Sequence, residues 1–232
     1  KAIYQNKFLN NRYGMSVSYS SFKQDDPYLI RQDIGVNLSN LIYKEKPTPI
    51  KRSDGNINFY RFFNFGKSTI GTGLGGRYIG SFRSSDTLVN FNSSHFREEM
   101  RTYGPQLSLL GVLRINNFLS TKLVTNAYTT YGRYDYELAS IRNFYPQKRT
   151  YSSKSKANFE GVEGDLSFSF HLNPSISFSL GAVWNHATLR ILNYELIDHY
   201  SLNYNSKVPR LFPGRGKVDD LKSIYFGINA HF

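Results

Sequence analysis

Taken at every second residue, the last ten positions of the chain fall into two sets. Ile224, Phe226, Ile228, Ala230 and Phe232 are apolar. Ser223, Gly227, Asn229 and His231 between them are small or polar, with Tyr225 amphipathic. A period of two without a slip predicts a strand with one apolar and one polar face. The pattern recurs upstream. Tyr13, Met15, Val17 and Tyr19 alternate with Gly14, Ser16, Ser18 and Ser20, and Gln24-Asp25-Asp26-Pro27 breaks that strand. A further strand is predicted from about Leu29 to Tyr43, with Ile34, Val36 and Leu38 on one face, followed by a loop from Lys44 to Asn56. Ile57 to Phe65 is strand-like and dense in aromatics. Ile70, Thr72, Leu74, Gly76 and Tyr78 then oppose Gly71, Gly73, Gly75 and Arg77, where small inward residues leave room for long side chains from across a narrow barrel. Tyr103, Leu107, Leu109 and Leu113 share a face that also holds Pro105, which predicts a bulge or frayed end because proline gives the ladder no donor. Thr121 to Tyr131, Leu166 to Leu172 and Ile176 to Trp184 complete the alternating set.

The spacing of the turns adds topology. Tight turns at 66–68, 116–117 and 173–175 alternate with long polar connections at 83–101, 133–156 and 187–219. Such asymmetric hairpins are those of a transmembrane barrel with short turns on one side and long loops on the other. Connections this long are uncommon in a compact soluble sandwich. Eight strands are counted from Leu29 to Phe232, and residues 12–22 make a ninth. Closure with both ends on one side needs an even number. Ten is therefore the expected count, with residues 1–11 either a weak first strand or irregular, and eight is the alternative.

At its C-terminal strand the sequence resembles the small outer-membrane β-barrels of Gram-negative bacteria. Their last strand commonly ends on an aromatic residue with apolar residues at alternate positions before it. The resemblance implies an all-β fold, a closed antiparallel up-and-down transmembrane barrel over residues 1–232 as a single domain, in the bacterial outer membrane. It also implies that Phe226, Ile228 and Phe232 form an assembly signal read by the barrel-assembly machinery. It implies no particular activity.

Composition changes this picture little. Forty per cent apolar residues and a mean hydropathy of -0.46 are too polar for a helical membrane protein, and no apolar run of about 18 residues occurs. A barrel needs apolar residues on its outer face alone, so the average is compatible with one. The 232 residues include no cysteine, which fits an exported chain that needs no disulfide. Lys1 is not an initiator Met, which leads to the expectation that an export signal has been removed. The net charge of +12 does not gather on a helix or in a nucleic-acid motif, so no nucleic-acid partner is expected. The basic residues fall mostly in predicted loops, where they would meet anionic lipid headgroups or surface polymers.

Candidate chemistry lies in two places. Parity turns Arg77, Arg114, Lys122 and Asp165 inward, with His171, Asn126, Asn185, Asn229 and His231. Charges of both signs inside a narrow barrel are expected to pair and plug it, Arg77 with Asp165 being one such pair. The loops carry Lys148, Arg149, Lys154, Lys156, Arg210 and Arg215, candidates for holding a partner or phosphate-bearing lipopolysaccharide. Asp198-His199-Tyr200-Ser201-Leu202-Asn203 gathers acid, base and hydroxyl types, but in a predicted loop and at no recognised spacing. His95, His171, His186, His199 and His231 have no ligand spacing, so neither metal nor cofactor is expected. The expected function is non-catalytic: a barrel presenting basic, aromatic extracellular loops to a partner protein, a surface polymer or another envelope protein. A narrow channel for small anionic solutes and a lipid-modifying enzyme are the alternatives. Expected partners are outer-membrane lipid and lipopolysaccharide and the barrel-assembly machinery.

Overall fold

A computed structural model of the chain describes residues 2–8, 12–24, 50–89, 92–142, 145–173, 176–192, 196–200, 204–208 and 217–230. They form eleven strands: β1 (Ala2–Phe8), β2 (Tyr13–Gln24), β3 (Ile50–Phe65), β4 (Ser68–Val89), β5 (Asn92–Arg114), β6 (Leu119–Arg142), β7 (Tyr145–His171), β8 (Ile176–Leu192), β9 (Leu196–Tyr200), β10 (Tyr204–Val208) and β11 (Lys217–Ala230). The sheet runs β1-β2-β3-β4-β5-β6-β7-β8-β11, each strand beside its predecessor, while β9 pairs with β10 and with the outer part of β7. All pairings are antiparallel, so the fold is an up-and-down sheet. Among the described residues β1 and β11 are its edges.

The alternation read from the sequence sets the two faces. Ile224 of β11 is 81 % exposed, and Phe226 and Ile228 stand exposed with it, while Tyr225 is half-buried. Leu74, Leu107, Leu109, Leu123, Phe168 and Leu180 continue the exposed apolar surface across β4 to β8. On the other face, side chains of distant strands meet. Arg77 of β4 bonds Glu163 of β7 at 2.6 Å, and Arg52 of β3 bonds Asp219 of β11. Strands three places apart in a flat sheet are separated by about 14 Å, so the sheet curls tightly about this face.

Turn chemistry holds one end. Gly66 sits at φ 57°, a left-handed conformation, between β3 and β4. Between β5 and β6, Asn116 Oδ1 accepts from the backbone N–H of Phe118 and Leu119, each at 2.8 Å. Asn173 does the same for Ile176 between β7 and β8 at 2.8 Å.

Several expectations are corrected. Residues 83–101 and 133–156 are not long connections but the continuing arms of hairpins: β4 and β5 pair from Ser68↔Leu113 to Val89↔Asn92, and β6 and β7 to Arg142↔Tyr145. At 22, 23, 24 and 27 residues, β4 to β7 are roughly twice the 9 to 11 that a tilted membrane strand requires. Beyond the lipid the outward positions carry charge while inward Met100, Tyr134 and Tyr136 are buried, so the apolar parity changes sides while the backbone ladder runs on. The stretch Leu29 to Tyr43 lies outside the described residues; β2 and β3 are neighbours in the sheet, paired from Tyr13↔Arg61 to Gln24↔Ile50. The loop expected to reach Asn56 yields to β3 from Ile50. Residues 2–8 form β1, giving nine strands on the path. Pro105 makes no bulge. The β5–β6 ladder has a gap at Gly104 and Pro105 and resumes in register, Tyr103↔Tyr131 and Gln106↔Tyr128. The inward glycines of β4 make room for the neighbouring strand: Phe62 lies opposite Gly71 and Tyr60 opposite Gly73, where a Cβ would come within 2.8 Å of the tyrosine ring.

Candidate functional site

The concave face is filled in layers. Nearest the tight turns, Tyr60, Phe62 and Leu110 are buried together, with Val112 and Val124 against them. The middle layer is polar and centres on Arg77, 3 % exposed. Its Nη2 donates to Asp54 Oδ2 and Glu163 Oε2, each at 2.6 Å, and its Nη1 to Gln106 Oε1 at 3.3 Å. The guanidinium lies 4.0 Å from the centroid of the Tyr128 ring. The network spreads outward. Gln106 donates to Asn58 at 3.0 Å, Asn126 donates to Glu163 at 3.0 Å, and the Ser108 hydroxyl donates to Asn126 at 2.5 Å. Tyr128 donates to Asn185 at 2.8 Å. Six strands, β3 to β8, contribute to this one layer. The outer layer is apolar again, with Ile79, Met100, Tyr134, Phe159 and Ala187 buried and Leu189 and Ile191 packed on them. Above it Arg83 pairs with Glu98, whose other oxygen accepts from Tyr134 at 2.9 Å. The concave face thus carries two apolar layers on either side of one polar layer.

The convex face is ordered along the membrane normal. A row of tyrosines follows the register Gly55↔Tyr78↔Tyr103↔Tyr131, with Tyr19 opposite Gly55. Tyr78 and Tyr103 pack at 4.9 Å between centroids, and Tyr103 is 61 % exposed. At the opposite boundary Phe65, Phe118 and Leu172 are exposed. The ten residue steps from Tyr103 to Leu113, at about 3.3 Å each and tilted about 40°, span about 25 Å, the height of the apolar band of an outer-membrane barrel. Beyond the tyrosine row the outward positions turn to charge: Arg101, Glu99 and Arg97 on β5, Arg133, Asp135 and Glu137 on β6, Lys156 and Lys154 on β7.

The expected site residues are distributed as follows. Arg77 is the centre of the interior layer, but its partners are Asp54 and Glu163; Asp165 instead accepts from Tyr225 at 2.8 Å. Arg114 is exposed at the end of β5. Lys122 is half-buried on the inward face of β6. Lys148, Arg149, Lys154 and Lys156 are not in a loop; all four belong to β7, and the side chains of Lys154 and Lys156 are exposed on its outer face. Arg210, Arg215 and Phe232 lie outside the described residues, and Phe226 and Ile228 stand on the convex face of β11. Asp198 and His199 belong to β9 rather than to a loop, and Ser201 to Asn203 lie outside the described residues. A nucleophile–base contact is present elsewhere: Ser120 Oγ lies 2.9 Å from His171 Nε2 near the tight turns. Among the described residues no group of three potential ligands could hold a metal ion.

Asp54 and Glu163 escaped the sequence reading for different reasons. Asp54 precedes a glycine and reads as a turn. Glu163 lies two residues before Asp165, and carrying that strand's parity one step further places it inward.

No curated protein and no solved structure matches the chain. The profile of one family, described as predicted outer membrane protein of Leptospiraceae, matches residues 3–232. With a curled antiparallel sheet that carries an apolar belt on its convex face and packed side chains on its concave one, the chain belongs to this Leptospiraceae outer membrane protein family and is located in the outer membrane.

Proposed function

We propose that the sheet closes in the outer membrane as a non-conducting, non-catalytic barrel of ten strands, one more than the nine on the described path, and that its task lies in the part standing outside the lipid. The carrying observation is the layering of the concave face. A channel needs a continuous polar bore, and this one is interrupted twice by packed apolar side chains and once by a buried ion-pair network. That argues against a narrow channel for anionic solutes. What remains to act is the projecting sheet formed by the outer halves of β4 to β7, to which β9 and β10 add a hairpin. A rigid sheet with charged outward residues is a platform for a partner protein or surface polymer.

Two measurements test this reading. In planar bilayers the refolded chain gives no current steps above the empty bilayer; reproducible steps would reinstate the channel. Shortening the β4–β5 and β6–β7 hairpins within residues 85–96 and 139–148 leaves membrane assembly intact and abolishes cross-linking to envelope partners. Unchanged cross-linking would move the binding function elsewhere.

A further inference from the structure

One cross-strand line on the convex face has an unusual composition. Arg101 of β5 is the register partner of Arg133 of β6, and Arg133 that of Lys156 of β7. Neighbouring strands lie about 4.8 Å apart, so three cations are mounted side by side within about 10 Å. Like charges directly opposite one another destabilise a sheet. Internal compensation is partial. Arg101 pairs with Glu99, but Glu99 is shared with Arg97 at 2.9 Å. The Arg133 side chain is 74 % exposed and its Nη2 lies 3.8 Å from Asp135 Oδ1, beyond hydrogen-bond distance. Among the described residues nothing pairs with Lys156. Counting the two register lines beyond, the outward positions of these three strands hold five basic and three acidic side chains.

Depth fixes what this surplus faces. The line lies two residues beyond the Tyr103↔Tyr131 pair, about 5 Å further along the membrane normal on a tilted strand. Below Tyr103 and Tyr131 the same face includes the exposed Leu107, Leu109, Leu123 and Ala127. An open hollow of about 450 Å³ lies between Glu99, Arg101, Tyr103, Gly132, Arg133 and Asp135. At Gly132 the backbones approach so closely that a Cβ would fall 1.8 Å from the Arg101 carbonyl oxygen. The hollow therefore joins Tyr103 and the apolar positions below it to the exposed guanidinium groups of Arg101 and Arg133, with the Glu99 and Asp135 carboxylates also on its rim; a lipid with its tail down and its phosphate up would lie this way.

We propose that Arg101, Arg133 and Lys156 form a clamp on the outer face of the barrel for the phosphate of an outer-leaflet lipid. The inference rests on the transmembrane placement of the sheet. The two arginines supply forked N–H donors to the phosphate oxygens and Lys156 adds a third charge, while the acyl chains run over Tyr103 and the leucines beneath it.

The test uses the full chain refolded in neutral detergent and native mass spectrometry with two lipids of identical acyl chains, phosphatidylglycerol and phosphatidylcholine. The wild type retains phosphatidylglycerol about tenfold better, as one or two charge-assisted contacts would give. Arg101→Gln/Arg133→Gln/Lys156→Gln abolishes the preference, lowering phosphatidylglycerol retention further than that of phosphatidylcholine, whose phosphate is offset by its own ammonium group. Excess inorganic phosphate does not displace the lipid. Equal retention of the two lipids by the wild type, an unchanged preference in the triple variant, or displacement by inorganic phosphate would overturn the clamp. A preference for an acidic soluble peptide over phosphatidylglycerol would overturn it in favour of a protein partner. The wild-type comparison stands even if the variant fails to fold. Insertion into phosphatidylcholine vesicles, scored separately by protease protection, reports the transmembrane placement independently of the clamp.

Discussion

Replacing Arg77 with methionine probes the interior most sharply. The side chain is 3 % exposed and shares its charge between Asp54 and Glu163, each at 2.6 Å, with the Tyr128 ring beneath it at 4.0 Å. Methionine keeps much of the packing volume but leaves two carboxylates facing one another without a cation. Breaking a buried pair by removing one partner costs about 3–5 kcal/mol, most of it from the charge left behind. Urea unfolding in phosphatidylcholine vesicles, followed by the fluorescence of Trp184, should record a loss of that order. The triple variant Arg77→Met/Asp54→Asn/Glu163→Gln removes all three charges and should recover most of the loss, since neutral replacement of a buried triad is often harmless. Neither variant should conduct, because the apolar layers of Phe62 and Leu110 on one side and Met100 and Phe159 on the other remain. A loss under about 1 kcal/mol for Arg77→Met, or a triple variant no better than the single one, would refute a desolvated network.

Further outcomes follow from the same geometry. Gly75→Ala places a Cβ 1.9 Å from the Ile57 carbonyl oxygen and should cost about 1–3 kcal/mol by urea unfolding, whereas Gly111→Ala, with nothing within 4 Å, should be near neutral. Leu109→Arg, near the middle of the exposed belt at 57 % exposure, should destabilise by about 2–4 kcal/mol in vesicles, and Ser84→Arg, beyond the tyrosine row, by less than about 1 kcal/mol. The hydrogen bond from Arg97, with Arg101 alongside, holds the Glu99 carboxyl below its ordinary value of 4.5. Its contribution is then fully present above that value and is lost as pH falls through the depressed folded one. The stability gap between wild type and Glu99→Gln should be largest near neutrality and close under acid; a gap that widens under acid would reverse the assignment.

The sequence disclosed faces better than heights. Alternation at Ile224, Phe226 and Ile228, or at Leu107 and Leu109, names the lipid side because lipid demands apolar atoms at every second position. It turns Arg77 inward for the same reason. It does not say which inward residues meet, since Arg77 reaches Glu163 across a curl that no local pattern encodes. The apolar lumen layers were partly visible as runs that break the alternation, Phe62 beside Phe63 and Leu110 beside Leu109. The outer arms of β4 to β7 were hidden because their apolar parity inverts: charge takes the outward positions while the buried inward ones mix Met100, Tyr134 and Tyr136 with Ser153 and Ser155. The Arg101–Arg133–Lys156 line was hidden for a related reason: it exists only in register across three strands, and each residue alone reads as a solvated charge.

Lipid outside and a dry lumen inside can be read residue by residue. The chain has no cysteine, so single cysteines from Gln106 to Leu110 can each carry a nitroxide in vesicles, scored for collisions with oxygen and with a water-soluble nickel chelate. Positions 107 and 109 should respond to oxygen, and 106, 108 and 110 to neither reagent. Nickel access at 106 and 108 would reveal an open aqueous bore, and nickel access at 107 and 109 would place that face in water, contradicting a sheet that spans the membrane around a filled interior.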